Sequence, residues 1–393
     1  MTDQYPFAQV ELGDIVDINP RYTLRKGASS RYVGMAHLRE YRRRIDRYSE
    51  RPFLSGTKFS NGDTLMARIT PCLENGKTAY VDFLDEEEVA HGSTEFLVLR
   101  ARSEFLNPLF LYYIATSRRM RNYAVPRMTG TSGRQRISSR EIAQYGFNLP
   151  PLNVQESIVD ELGSIDDRIE HVEQTILKSY DLCDLLYEQV RADPSCEYIP
   201  LGDLADISKG VSYKGEFLSN SDLGGELMNL GVFGRERSPR WENVKRYVGP
   251  TKRQHHVASG DVIVCATDMT PDRIVLGKSF VVPPSHDGSA FTHHLYALKL
   301  RARQSVSPYV LSLALSHEET RRQVANFANG TTVLALPKDA LLGVQIPIGA
   351  ESASTQEISL LFALIEHYQS ELDSLFRLKA EVQDLYLGAS SED

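Results

Sequence analysis

Between residues 152 and 191, apolar side chains recur at steps of three and four: Ile158, Leu162, Ile165, Ile169, Val172, Ile176, Tyr180, Cys183 and Tyr187. That rhythm puts one narrow apolar stripe on one side of an α-helix and leaves the rest polar. A second stretch near the end of the chain repeats it with Ile358, Leu361, Ile365, Tyr368, Leu372, Leu375, Leu378, Val382 and Leu385. Both read as long helices with coiled-coil seams, and the two successive steps of four around Ile176 predict a local register adjustment. Asn153 with Glu156, and Ser354 with Glu357, have the spacing of a capping box, so each helix is expected to start there. About 36 residues at 1.5 Å each make each helix roughly 55 Å long.

The stretches ahead of the two helices repeat one another. Leu12-Gly13-Asp14 returns as Leu201-Gly202-Asp203, Asn61-Gly62-Asp63 as Ser259-Gly260-Asp261, and Gly76-Lys77-Thr78 as Gly277-Lys278-Ser279. Asn107-Pro108 matches Ser307-Pro308, and Thr129-Gly130-Thr131 matches Asn329-Gly330-Thr331. Each half holds short β-like runs, at 64–69 and 94–100 and again at 262–266 and 294–300. Each then has a proline-started helix capped by Asn107 or Ser307, a polar glycine-containing loop, and its long helix. The expected architecture is therefore two α/β (α+β) domains, 1–151 and 193–349, alternating with helices at 152–192 and 350–393. Two equivalent halves on one chain are expected to relate by a pseudo-two-fold axis, with the helices running antiparallel.

The net charge of −8 is segregated along the chain. Residues 152–191 hold ten acids and three bases, and 351–393 hold nine acids and two bases, so each stretch carries −7 and the remainder +6. The basic share is concentrated. Residues 21–51 contain ten bases against three acids, and 118–140 contain seven arginines and no acid. A weaker cluster runs from Arg235 to Arg253. Such clusters neutralise phosphates, and arginine can also read a guanine edge with two hydrogen bonds. Within the second cluster, 129–136 is the more specific feature: its glycines permit close backbone approach, and Thr131, Ser132, Arg134, Gln135 and Arg136 are donors suited to phosphates and base edges. No apolar run reaches membrane-spanning length, and the first residues lack the pattern of a signal peptide, so a cytoplasmic protein with no membrane partner is expected.

Catalytic signatures fail where they can be tested. The two Gly-Lys-Thr/Ser tripeptides lack the earlier glycine of a phosphate-binding loop, with Pro71 and Asp272 at that position. His317-Glu318-Glu319 is followed by Arg321 where a zinc helix needs histidine. The four cysteines (Cys72, Cys183, Cys196 and Cys265) show no metal or disulfide spacing. His255-His256 and His293-His294 are read as strand neighbours pointing to opposite faces, which disfavours a shared metal and leaves surface or DNA-contacting roles. A self-contained DNA-modifying or DNA-cleaving enzyme, and a coiled-coil scaffold indifferent to DNA, are the rival readings.

The segments NGDTLMARITPCLENGKTAYV (61–81), GSTEFLVLR (92–100), TGTSGRQRIS (129–138) and NLPPLNVQESIVDELGSIDDRIE (148–170) together resemble the specificity subunits of Type I restriction–modification systems. The second half follows the same plan more loosely and departs from it at Ile346-Pro347-Ile348-Gly349, where a double proline is lost. The resemblance implies a non-catalytic subunit whose two target-recognition domains each read half of a bipartite site on double-stranded DNA. It implies helices that dock two methyltransferase subunits and are joined by restriction subunits, with S-adenosylmethionine, ATP and Mg on those partners and no metal or cofactor in this chain. The candidate DNA contacts are Arg68, Thr70, Lys77, Thr131, Ser132, Arg134, Gln135 and Arg136 in the first half. In the second they are Thr267, Thr270, Arg273, Lys278, Thr331 and Thr332.

Overall fold

The β-like runs at 64–69 and 94–100 become the middle strands of an antiparallel sheet ordered Val16–Ile18, Phe96–Ala101, Asp63–Ala67, Thr78–Tyr80. Every residue of Asp63–Ala67 is buried, because core packs on both faces of this sheet. On one face a second, mixed sheet (Ser49–Pro52, Ser29–Val33, Ala90–Gly92, Thr57–Phe59) encloses Val33, Phe59, Leu65 and Val98. On the other face lie the short helix Pro108–Thr116 and part of the first long helix, around Phe110, Leu162 and Ile165. Removing a leucine such as Leu162 completely from water stabilises this arrangement by about 2 kcal/mol.

The computed structural model describes residues 8–219, 223–235, 237–268, 274–301, 306–327, 334–349 and 353–388. The chain forms two compact units: Met1–His171 with Leu372–Asp393, and Val172–Glu371. The second unit repeats the sheet order of the first with Ala205–Lys209, Leu295–Leu300, Val262–Cys265 and Ser279–Val281. Its helix Pro308–Ser316 again covers that sheet, and strand Glu197–Pro200 pairs with Gln345–Ile348 as Ala8–Glu11 pairs with Gly146–Leu149. The α+β repeat expected from the sequence is thus present in each unit.

The repeated tripeptides have structural causes. Gly62 and Gly260 sit at φ of +88° and +87°, the left-handed region glycine enters without cost. The aspartate that follows closes the turn, Asp63 accepting from the Ser60 backbone N–H and Asp261 from that of Ala258, both at 2.9 Å. Lys77 donates to the carbonyl of Met35, and Lys278 to that of Gly234, so the lysine of the third tripeptide ties a neighbouring loop to the sheet edge in both units.

The long helices run Leu152–Ala192 and Ala353–Leu387. They pair antiparallel: Tyr386 donates to Glu161 and Lys379 to Asp166 in the first unit, while Tyr180 packs on Phe362 and Ser354 donates to Gln189 in the second. Two details differ from expectation. Asn153 does not cap the first helix, because the Pro151 carbonyl already accepts from the backbone N–H groups of Val154 and Gln155. The fully buried Gln155 side chain fastens that end instead, accepting from the Asn107 N–H and donating to the carbonyls of Pro150 and Phe105. Ser354 likewise falls inside its helix, and Ser307 bonds Ser359 rather than capping Pro308–Ser316.

The seam also departs from the apolar pattern. All nine expected residues of the first helix are buried, but Leu378 and Leu385 of the second are 46% and 69% exposed. Lys379 and Gln383 take the inward positions beside Val382. A helix of 3.6 residues per turn drifts ahead of a strict heptad, and here the drift brings a charged residue inward. Lys379 donates to Asp166 at 2.5 Å, Tyr113 donates to the same carboxylate at 2.9 Å, and Gln383 donates to Thr116 and to the Tyr113 carbonyl. Burial holds the Lys379 ammonium below its ordinary pKa, against the pull of Asp166.

Candidate nucleic-acid interface

At the end of the first unit's central sheet, three segments meet. The backbone N–H of Arg68 donates to the Glu95 carbonyl, that of Ile137 to the Arg68 carbonyl, and that of Thr70 to the Gln135 carbonyl. Arg136 pairs with both Ile69 and Thr129 as an isolated β-bridge, which closes 129–136 into a loop. Gly130 and Gly133 adopt φ of +131° and +76° at its tip. Thr131, Ser132 and Arg134 are exposed there, and Gln135 is half-buried.

The side chains divide by what they touch. The Arg136 guanidinium is committed to Glu95, with Nε 2.9 Å and NH2 2.7 Å from the carboxylate oxygens, and to the carbonyl of Arg134. Those hydrogen bonds, ahead of the opposing effect of burial, hold Glu95 below the usual carboxylate range. Arg68 is half-buried, and its Nε is a buried donor with no hydrogen-bond partner. Thr70 reaches only the Met128 sulfur and, at 3.4 Å, Glu74. Among the described residues, Arg134 and Arg140 are the two arginines of the 118–140 cluster whose exposed side chains make no hydrogen bond, ion pair or ring contact. Arg118 pairs with Asp384, Arg119 and Arg127 lie over Tyr145 and Tyr123, and Arg121 bonds the Thr116 carbonyl.

The basic cluster at 21–51 is split in the same way. Arg43 and Arg44 bind Asp167 and Glu170 of the long helix, Arg42 lies 4.0 Å from the Phe376 ring, and Arg31 binds Asp85 and Glu88. Part of the acid on the helix is thereby neutralised within the unit. Arg21, Arg25, Lys26 and Arg47 carry no such partner among the described residues. In the second unit Arg237 repeats the arrangement, binding Asp181 and Asp184.

The second unit has the same backbone frame at this place. The N–H of Ala266 donates to the His294 carbonyl and that of Leu336 to the Ala266 carbonyl, so Arg68, Glu95 and Ile137 correspond to Ala266, His294 and Leu336. Thr267 Oγ1 and His294 Nδ1 share a hydrogen bond of 2.9 Å, and Lys278 is spent on backbone carbonyls. Thr270, Arg273, Thr331 and Thr332 lie outside the described residues. The histidine pairs correct the sequence reading: His293 and His294 occupy a turn ahead of Leu295–Leu300, and their rings face each other at 4.0 Å. His255 ends a 3-10 turn rather than lying in a strand. Among the described residues no group of histidine, cysteine and acid side chains has metal-holding geometry, and no helix is long and apolar enough to cross a membrane. Glu95 went unread in the sequence because a lone acid in a basic region gives no spacing signal.

Comparison with known proteins fits this geometry. Residues 6–178 match the family described as the Type I restriction modification DNA specificity domain. Over 132 residues, 34% of the chain, the protein is 32% identical to the Type I restriction enzyme EcoAI specificity subunit of Escherichia coli. Over 136 residues, 35% of the chain, it is 31% identical to the EcoEI specificity subunit of the same organism. The matched stretches span only 22% and 23% of those relatives' lengths. The crystal structure of a Type-I restriction-modification system S subunit from M. genitalium shares the fold, with a TM-score of 0.58 at 13% identity, over 100% of this chain and 98% of that one. Over residues 6–178 the chain thus resembles the DNA specificity domain of Type I restriction–modification systems.

Proposed function

We propose that this chain reads DNA sequence for a Type I restriction–modification complex and performs no chemistry itself. Each half would read one part of a bipartite target on double-stranded DNA from the sheet end where its polar loop is anchored. The observation that carries the reading is the 129–136 loop. Its backbone is pinned at both sides, while Arg134 stands exposed at the tip beside the hydroxyls of Thr131 and Ser132. A fixed backbone with an uncommitted arginine suits base and phosphate contact, since little ordering is left to be done on binding. Arg134, Gln135, Thr131 and Ser132 are the contacts favoured in the first half, with Arg68 behind them. Lys77, Lys278 and Arg136 act through the loops they hold. Thr267 and His294 mark the corresponding place in the second half.

The partners would be two methyltransferase subunits on the paired helices, with restriction subunits joining that core in the cytoplasm. Binding of S-adenosylmethionine, ATP and Mg would then fall to those partners. The test is methylation mapping across a host genome after expressing this chain with its partner methyltransferase, beside the methyltransferase alone. A bipartite methylated motif that depends on this chain is the expected result, and a stable complex that methylates no new motif would refute the reading.

A further inference from the structure

We propose that Glu95 is a positioning residue for DNA reading, setting the pose of the 129–136 loop through Arg136; this rests on the reading above. Glu95 holds two of the meeting segments at once, one through its backbone and one through its side chain. Its carbonyl accepts from Arg68, and its carboxylate takes both Nε and NH2 of Arg136. Arg136 in turn accepts and donates backbone hydrogen bonds with Thr129 across the loop's base, and its NH1 bonds the Arg134 carbonyl next to the tip. A planar guanidinium fixed by two bonds on one edge and a third on another has one orientation, so the peptide carrying Arg134 is fixed with it.

The second unit supplies an internal comparison. Its frame is the same, but Glu95 is replaced by His294, Arg136 by Ala335 and Arg68 by Ala266, and His294 turns to Thr267. Acid and both arginines are absent together, while the turns and staples that build the sheet are retained. A residue needed for the fold would be retained with them. The clasp therefore belongs to what distinguishes the halves, which is the loop each presents.

The sign of the effect separates positioning from plain electrostatics. Removing a carboxylate from a DNA-binding face strengthens sequence-independent binding, because it no longer repels phosphate. Removing a strut of the reading loop weakens binding to the preferred sequence. The full chain is used to select from a pool of random DNA duplexes, and affinity is then measured for the enriched duplex and for the unselected pool. Glu95→Ala and Arg136→Ala are each expected to weaken enriched-duplex binding about tenfold, the scale of one lost specific contact. Pool binding should rise for Glu95→Ala. The double variant should be no weaker than the worse single one, since both remove the same clasp. Glu95→Gln, which keeps the shape and loses the charge, should fall between wild type and Glu95→Ala with its circular dichroism unchanged.

Enriched-duplex binding by Glu95→Ala or Glu95→Gln that equals or exceeds wild type overturns the proposal. So does an additive double variant, which would make Arg136 a contact in its own right. A wild-type chain that enriches no sequence instead overturns the DNA-reading function itself.

Discussion

Lys379→Met removes one member of the buried pair in the first unit and leaves the other in place. Asp166 would keep the Tyr113 hydroxyl as its hydrogen-bond donor, with the Arg43 guanidinium nearby, in a site where the side chains of Asp166 and Lys379 are at most 6% exposed. Breaking such a pair from one side costs about 3–5 kcal/mol, because a charge remains out of water without its counter-ion. For a unit of this size that lowers the melting temperature by roughly 6–20 °C. Asp166→Asn leaves Lys379 as the orphan, with a different remedy available: an ammonium already below its ordinary value can release its proton. A base with a lowered folded pKa binds fewer protons folded than unfolded, so the stability of Asp166→Asn should rise with pH towards the unfolded lysine value of about 10.4. The double variant should cost less than the two singles together. Urea unfolding is followed by hydrogen exchange on peptides from 158–171 and 372–387, which reports this unit alone. Single-variant costs below about 1 kcal/mol would mean that water reaches the pair, and would refute the buried network.

Other outcomes follow from the same geometry. Arg134→Ala with Gln135→Ala should weaken DNA binding in a filter or anisotropy assay while leaving the melting temperature within about 1 °C, because among the described residues neither side chain makes a hydrogen bond, ion pair or ring contact. Arg43→Ala should do the reverse: it loses the contact to Asp167 on the long helix and lowers thermal stability, with little change in DNA affinity. Burial, then the charge of Arg51, holds the His91 imidazole below its ordinary value, where it shares a hydrogen bond with Ser30. Such a base contributes its stability above the unfolded value of about 6.5 and loses it as the pH falls. The first unit should therefore lose protection from hydrogen exchange between about pH 7 and 5, and His91→Asn should flatten that loss.

The repeat was legible because its markers are backbone requirements. A positive φ before a turn-closing aspartate needs glycine wherever the chain uses that turn, so Gly62-Asp63 and Gly260-Asp261 stand in both halves. The long helices were legible for a related reason, since a stripe of apolar residues is visible at any length. The seam misled where polarity and position part company. Lys379 turns inward only because Asp166, 213 residues away in the chain, receives it, and no local window contains that fact. The basic clusters misled similarly. Charge counting found the right regions but could not separate Arg43, Arg44, Arg118 and Arg136, which are answered by acids distant in sequence, from Arg134 and Arg140, which are not.

The first unit is discontinuous in the chain, since Leu372, Leu375, Phe376 and Val382 complete a core begun before residue 171. On a ribosome adding about 5–20 residues each second, the intervening 200 residues occupy roughly 10–40 s. During that interval Leu162, Ile165 and the Asp166 carboxylate have no partner helix, and the second unit becomes complete first. The order of maturation is thus the reverse of the order of synthesis. A premature stop shortly after Glu371 would spare the later half and leave the earlier one unfinished, a state that chaperone binding to the nascent chain, or protease sensitivity confined to the N-terminal half, would expose.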